Sequence, residues 1–402
     1  KESFENGCEM TLEEALRYMT CYDGNIYSLP ALSESYNNQL SGNRLLVYQP
    51  WLDKLGIDRY SIVTTDDYYN MLCQIRDNDL NGNGVKDEIP LIASKNTLSN
   101  LRRGLMSPFV TCQPQYWTKE NGKVDVVFDR DEWREGIRYI RKLVKEGLIM
   151  PESFTQSEQQ MTAIQTQDPH VVGGVARVST SNIPTSDPRW MEYTHILPLQ
   201  GPTGMREIIR VPSIPSNPMI ITSKCKYPEA MVRWADVFFR TVDEHVEGLC
   251  GLSNFLGIYG YNWYFDDETR KTYTRESKVE GLNPVEYINK HVMPTVFGWV
   301  VTDAVPSADP LLLLKAEESE KQYFPYTIPV YPNTVRYTKE ETERLSFLQN
   351  DIDTYVDQML AKFIIGEEPL SKWDEYVKTL QSMGLDELLK IKQDAYNRWK
   401  NQ

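Results

Sequence analysis

The stretch "DNDLNGNGVKDEIP", residues 77–90, crowds Asp, Asn, Gly and one Glu between a helix-like segment and the apolar "LIA". Oxygen-bearing side chains at this density on a glycine-rich backbone have two physical uses: they solvate a turn, or they converge on a hard cation. An EF-type calcium loop fits the stretch in two registers. Starting at Asp77, it offers Asp77, Asp79, Asn81, Gly82 and a terminal Glu88. Starting at Asp79, it offers Asp79, Asn81, Asn83, the backbone oxygen of Val85 and Asp87, with Gly84 at the turning position. The last place of that second register falls on Pro90, which donates nothing, but Glu88 lies close enough to help. The second register wastes fewer oxygens, and the predicted Ca²⁺ ligands are Asp79, Asn81, Asn83, Val85, Asp87 and Glu88. Their carboxylates repel one another unless a cation sits among them. No second loop of this kind follows in the sequence, so the reading is a structural staple and not a two-loop switch.

Working outward, "TTDDYYNMLCQIRDN" reads as a helix capped by Thr64 and Asp67, with Met71, Leu72 and Ile75 as its inward stripe. "LLVYQPWLDKLGI" gives a strand, a helix opened by Pro50 and a stop near Gly56. "VDVVFDRDEWREGIRYIRKLVKEGLI" gives a strand and an amphipathic helix whose apolar face carries Trp133, Ile137, Ile140 and Val144. "HVVGGVARV" reads as a buried strand, and its paired glycines as a close approach of backbones. In "MIITSKCKYPEAMVRWADVFF" a strand precedes a helix opened by Pro228, with Met231, Trp234 and Phe238 as its stripe. The last seventy or so residues read as helices, one bearing Leu345, Leu348, Ile352, Tyr355, Met359 and Phe363. Strands alternating with helices predict α/β layers. No linker and no internal repeat divides the chain into independent modules.

Composition excludes several classes. At 402 residues, 41% hydrophobic and 25% charged, the chain is globular and large enough for two lobes. Its formal charge of −14 excludes a general nucleic-acid binder. No apolar run reaches membrane-spanning length. The six cysteines are scattered without CxxC spacing, which predicts free thiols and neither a zinc site nor a disulfide framework. No GxSxG, Walker A, HExxH or GxGxxG motif is present, and the four histidines lie far apart. Tryptophans near turns are the better clue, because sugar rings pack their C–H faces on indole. Trp263, in "GYNWYFDD", leads, followed by Trp190 and Trp299.

Taken together, "DGNIYSLP", "WLDKLGI", "NGNGVKDEIP", "LVKEGLIMPE", "LPLQGPTG", "CKYPEAMVRWADVFF", "AKFIIGEEPL" and "SMGLDELLKIKQDAYNRW" resemble the extracellular solute-binding proteins of carbohydrate ABC importers. The likeness is to the LplA-like and alginate-binding-protein-like branch of family 1, and it runs in family order from about residue 13 to 399. It implies a two-lobed, type II periplasmic-binding-protein-like α/β fold and a structural Ca²⁺ on the loop residues named above. It also implies no enzymatic activity, an oligosaccharide ligand, ABC permease subunits as partners, and a monomer. The expected location is the extracellular face of the membrane, with a lipid anchor in the full-length precursor. Expected lobe divisions are 1–100 with 205–300 and 101–204 with 301–402. Two departures stand out. Only 22 residues precede "DGNIYSLP", so the first lobe is expected to lack its usual opening portion, and "VYQP" replaces the family's "RKD" before "WLDKLGI". The alternatives from other classes are a polysaccharide-cleaving enzyme and a peptide-binding transport protein.

Overall fold

The computed structural model describes residues 12–33, 44–111, 116–210, 219–236, 256–279, 298–300, 318–329 and 331–401, apart from single residues and short stretches within those ranges. After helix α1 (Leu12–Met19), the first strands are β1 (Ser28–Leu29), β2 (Ala31–Ser33) and β3 (Leu45–Tyr48). Then, after a short antiparallel hairpin of Tyr116–Thr118 and Val124–Val126, come β4 (Gly174–Val175), β5 (Tyr193–Ile196), β6 (Ile208–Arg210) and β7 (Met219–Ile220). The last are β8 (Trp263–Phe265), β9 (Tyr273–Arg275), β10 (Gly298–Val300) and β11 (Thr327–Pro329).

Pairing sorts most of these strands into two groups, while β8 and β9 form a hairpin of their own. β1 pairs antiparallel with β7 and β2 pairs parallel with β10, bringing residues 28–33 together with 219–220 and 298–300. β3 lies between β4 and β5 in a three-stranded antiparallel sheet, and β6 pairs parallel with β11. The chain therefore visits the first group, the second, the first again and then the second. Strand 219–220 returns to the chain's early segment after residues 45–210 have built the other body. This is a two-lobed α/β architecture.

The larger core is assembled from distant stretches. Helices α2 (Gln49–Leu55), α3 (Thr65–Asp77) and α4 (Asp131–Lys145) share one hydrophobic cluster with α6 (Lys339–Ile365), α7 (Trp373–Ser382) and α8 (Leu385–Lys400). Residues 45–93 thus pack with 124–149 and 331–399. The sequence reading grouped 45–93 with 205–300 instead, because chain order does not reveal which helices fill a gap between sheets.

Local chemistry explains the elements. Thr64 and Asp67 form a capping box at the start of α3, with Asp67 Oδ2 accepting the Thr64 amide at 2.8 Å. Pro50 opens α2, and Gly56 ends it in the left-handed region at φ 66°. α4 buries Trp133, Ile137, Ile140 and Leu143, each worth about 1.5–3 kcal/mol of apolar burial. On α6 the buried set is Leu345, Leu348, Ile352, Val356, Leu360, Phe363 and Ile364. Tyr355 and Met359 sit beside that stripe, half-buried.

One expected stripe is corrected. On α5 (Pro228–Asp236), Met231 is 36% and Trp234 46% exposed, and Ala235 is the buried position. Phe238 lies outside the described residues. Cys73 and Cys225 carry free thiols, as the spacing predicts. Among the described residues no helix is long and apolar enough to cross a membrane.

Buried polar contacts fasten the returning chain. Arg59 pairs with Glu318, both nearly inaccessible, and Arg59 Nη1 donates to the His195 carbonyl at 3.1 Å. Arg44 Nη2 donates to Ser319 Oγ at 2.6 Å, and the Tyr323 hydroxyl donates to the Ile196 carbonyl at 2.7 Å. Removing one partner of such a buried pair leaves an uncompensated charge.

Gly173 and Gly174 meet the expectation of close approach. A Cβ on Gly173 would lie 2.9 Å from Ile75 Cγ2, and one on Gly174 would lie 2.7 Å from the Pro90 carbonyl oxygen. Backbone cannot rotate aside as a side chain can, so Gly174→Ala is expected to cost about 2–3 kcal/mol. Urea unfolding should show an earlier midpoint with an unchanged m-value. A midpoint equal to the parent's would mean the two backbones have slack.

Candidate functional site

The acidic loop folds as a nest of its own hydrogen bonds. Asp79 Oδ1 accepts the amides of Gly82 and Asn83 at 2.8 and 3.1 Å, and Asp79 Oδ2 accepts Gly84 N at 2.9 Å. Asn81 Oδ1 accepts Asn83 N, and Asn83 Oδ1 accepts Val85 N. The turns need Gly82 and Gly84 at φ 77° and 85°. Asn81 and Asn83 both donate their amide nitrogens to Asp87. Glu88 is only 6% exposed; its Oε1 accepts Leu80 N at 2.5 Å and Asn81 N at 3.0 Å. Its Oε2 is buried with no hydrogen-bond partner. An unpaired buried carboxylate oxygen is costly, and a cation beside it removes that cost.

The six residues expected as ligands do fall on one turning loop, so their chemistry fits calcium. Among the described residues no group of three or more His, Cys, Asp or Glu is placed to hold a metal. A cation on this loop would be held by a mixed set of carboxylate, amide and backbone oxygens.

A second constellation lies where β3 ends and β5 begins. The Tyr48 hydroxyl donates to Glu192 Oε2 at 2.6 Å, and Gln49 N donates to the Glu192 carbonyl at 2.9 Å. The Tyr48 ring lies 4.4 Å from the His170 ring, 5.4 Å from Tyr193 and 5.7 Å from Trp51, centroid to centroid. Burial, then the bond to Glu192, push the Tyr48 hydroxyl pKa well up. Arg189 grips Asp187 with two nitrogens, at 2.7 and 2.5 Å, and also donates to the carbonyls of Thr166 and Gln167. Burial alone would raise the Asp187 pKa, but Arg189 outweighs it and holds the carboxyl below its usual range.

Arg189 Nη1 stands 3.2 Å from His170 Nδ1. Arginine only donates, so Nδ1 accepts and the ring proton sits on Nε2, facing the Tyr193 hydroxyl 3.4 Å away. Tyr193 in turn donates to the Val172 carbonyl at 3.3 Å. Burial first, then the nearby Arg189 charge, push the His170 pKa down to about 4. The result is a half-buried patch of ring faces, a neutral imidazole and fixed charges. It suits a hydroxyl-rich, uncharged solute.

Of the three candidate tryptophans, Trp190 packs on the same hydrophobic cluster as Tyr48. It lies on the turn Pro188–Met191 and packs, half-buried, against the cluster containing Val171, Val172 and Tyr193. Trp263 offers no open face: it is 0% exposed, ringed by Tyr259, Phe265 and Tyr273, and its indole N–H donates to the Gly257 carbonyl at 3.0 Å. It packs inside the β8–β9 hairpin, because the alternation of a strand sends Trp263 and Phe265 to one face and Tyr264 to the other. Trp299 lies in β10, opposite Leu32 of β2.

Sequence reasoning missed Tyr48, His170, Arg189 and Glu192. The available signal was "VYQP", where a strand ends just before a proline-opened helix.

No protein-family model matches the chain. It is 27% identical to the fructooligosaccharide ABC transporter substrate-binding protein FusA of Streptococcus pneumoniae, covering 95% of this chain and 71% of that protein. It is 22% identical to the polygalacturonan/rhamnogalacturonan-binding protein YtcQ of Bacillus subtilis, covering 94% and 71%. A solute-binding protein described as HMO binding and ABC-transporter associated, from Bifidobacterium longum infantis, superposes with a TM-score of 0.75 at 23% identity, covering 96% of this chain and 80% of that one. The chain has the fold of ABC-importer solute-binding proteins. FusA in complex with kestose and a FusA EF-hand mutant with fructo-nystose superpose with TM-scores of 0.74 and 0.75, each at 24% identity over 97% of this chain and 79% of theirs. The alginate-binding protein AlgQ2, solved without calcium ion, gives 0.68 at 20% identity, covering 96% and 77%.

Two outcomes follow from the site's geometry. The unfolded chain protonates His170 near pH 6.5, whereas the folded chain resists until about pH 4. Stability should therefore be lost as pH falls through that window, and His170→Gln should flatten this part of the slope. Melting curves of parent and variant that stay parallel across the window would refute it. Trp263→Ala should cost about 3–5 kcal/mol of stability through the cavity it leaves. An unchanged melting temperature would contradict its place in the hairpin core.

Proposed function

We propose that the chain is a non-enzymatic binding protein that captures an oligosaccharide outside the cell and passes it, as a monomer, to an ABC permease. The observation that carries this reading is the half-buried Tyr48–His170–Glu192 patch on a two-lobed binding-protein fold. Tyr48 and Trp190 supply ring faces for sugar C–H bonds, while the Glu192 and Asp187 carboxylates accept from hydroxyl groups and Arg189 holds Asp187 in place. Trp299, in β10, is a further candidate for stacking on the sugar. Trp263 supports its hairpin from within. The relatives named for fructooligosaccharides and for pectic polymers favour saccharide over peptide.

In the same reading the loop binds one structural Ca²⁺ through Asp79, Asn81, Asn83, the Val85 carbonyl, Asp87 and Glu88. The partnerless Glu88 Oε2 supports it. When bound, the ion would supply positive charge beside a mixed set of carboxylate, amide and backbone oxygens, and the loop's own amides hold Asp79 and Glu88 in place. The lobes divide along the strand pairing and the core packing: 28–33 with 219–236 and 298–300, and 44–210 with 318–401. An extracellular, lipid-anchored position in the LplA-like and alginate-binding branch goes with this role.

Calorimetry against a panel of fructo-, galacturono- and milk-type oligosaccharides tests the function. One class should bind without turnover. Tyr48→Ala and Trp190→Ala should each weaken it about tenfold or more, roughly 1.4 kcal/mol, at an unchanged melting temperature. Binding of peptides alone, or cleavage of any sugar in the panel, would overturn the reading.

A further inference from the structure

The acidic loop and the Tyr48–His170 patch are joined by very little intervening structure. Immediately after Glu88, Ile89 N donates to the Val171 carbonyl at 2.7 Å, and Gly173 N donates back to Ile89 O at 2.9 Å. Ile92 N donates to Gly174 O at 2.9 Å, and Ala176 N to Ile92 O at 3.0 Å. The opposite edge of this same strand holds the patch, with Tyr48 N donating to Gly173 O at 2.7 Å and Val47 paired with Gly174. His170 immediately precedes this hydrogen-bonded segment, 171–176. Glu88 is therefore one residue and one hydrogen-bonded strand away from both rings. The glycine pair leaves that strand no slack, since even a Cβ at Gly174 would collide with Pro90 O at 2.7 Å. A close-packed ladder of this kind passes on a small displacement more readily than it absorbs one.

We propose that Glu88 is a positioning residue of the saccharide site, so that calcium on the loop and saccharide on the patch are thermodynamically linked through 89–92 and 171–176. The proposal rests on the readings of both sites given above. With the ion present, both Glu88 oxygens are engaged, Oε1 by the amides of Leu80 and Asn81 and Oε2 by the cation. Without it, the buried charge on Oε2 gains by moving toward water, and Ile89 moves with it. That shift loosens Val171 and Gly173, and with them the His170 and Tyr48 rings. Linkage is reciprocal: whatever factor calcium adds to saccharide affinity, saccharide adds to calcium affinity. The expected factor is about five- to tenfold, at the lower end of usual couplings.

Calcium alone is the first probe. The chain has only four histidines, so their ring proton resonances can be followed by NMR during a calcium titration, with His170→Gln assigning one of them. The His170 signal should move with calcium occupancy in the parent. In Glu88→Gln titrated to saturation it should stay near its calcium-free position. The oligosaccharide panel repeated in chelator should then show about five- to tenfold weaker binding for the parent, and no calcium dependence for Glu88→Gln. Should Glu88→Gln fail to fold, Asp87→Asn takes its place, and its saccharide affinity in calcium should match the parent's in chelator. Calcium heat with a stationary His170 signal and unchanged saccharide affinity would overturn the linkage and leave both sites standing. A His170 signal that moves equally in Glu88→Gln would remove Glu88 from the positioning role. No calcium heat at all would overturn the calcium reading, and the linkage with it.

Discussion

The segment 171–176 is hydrogen-bonded along both edges, and this double pairing is the constraint on which the larger lobe depends. One edge receives Ile89 and Ile92, the other the β3 strand. The flanking backbone at Pro90 can come so close only because Gly174 presents no side chain, and Gly173 likewise leaves room for Ile75 and Trp51 of the covering helices. Every functional feature of this lobe hangs from the ladder: the acidic loop at one corner, Tyr48 and His170 at another, and β5 with its preceding turn beyond β3. Rigidity here is inexpensive, since the backbone groups are mutually satisfied and need no water.

Around the patch, desolvation is made to select one charge state for each group. His170 stays neutral because its ring is withdrawn from water and faced by Arg189, whose own charge is absorbed by Asp187. Tyr48 keeps its proton because its hydroxyl is withdrawn from water and donates a hydrogen bond to the Glu192 carboxylate. Such a surface has little attraction for a free ion. Its donors and acceptors are already oriented, which lowers the ordering cost of holding a neutral polyol.

How much of this could be read from residues alone depended on the range of the interaction. The acidic loop was legible because all its donors lie within about ten residues, and the capping of α3 by Thr64 and Asp67 for the same reason. The paired glycines announced a close approach without naming what came close. The Tyr48 patch was not legible, since it gathers residues 48, 170, 189 and 192 by strand pairing. A lone histidine carries no sign of which strand it will face. Trp263 illustrates the opposite error: its aromatic, glycine-rich neighbours suggested an open platform, yet those same rings enclose it.

The assembly of the larger core has a consequence for how the protein comes into being. Helices near residues 50–145 are complete early in the chain, but the helices that cover them begin at Lys339. Until those last residues have been synthesised, the core around Trp133, Ile137 and Ile140 is incomplete, and the contacts that close it span much of the polypeptide. Contacts of such long sequence separation form slowly. The core of this lobe is therefore closed only when the end of the chain has been made, and until then its apolar helix faces are open to aggregation.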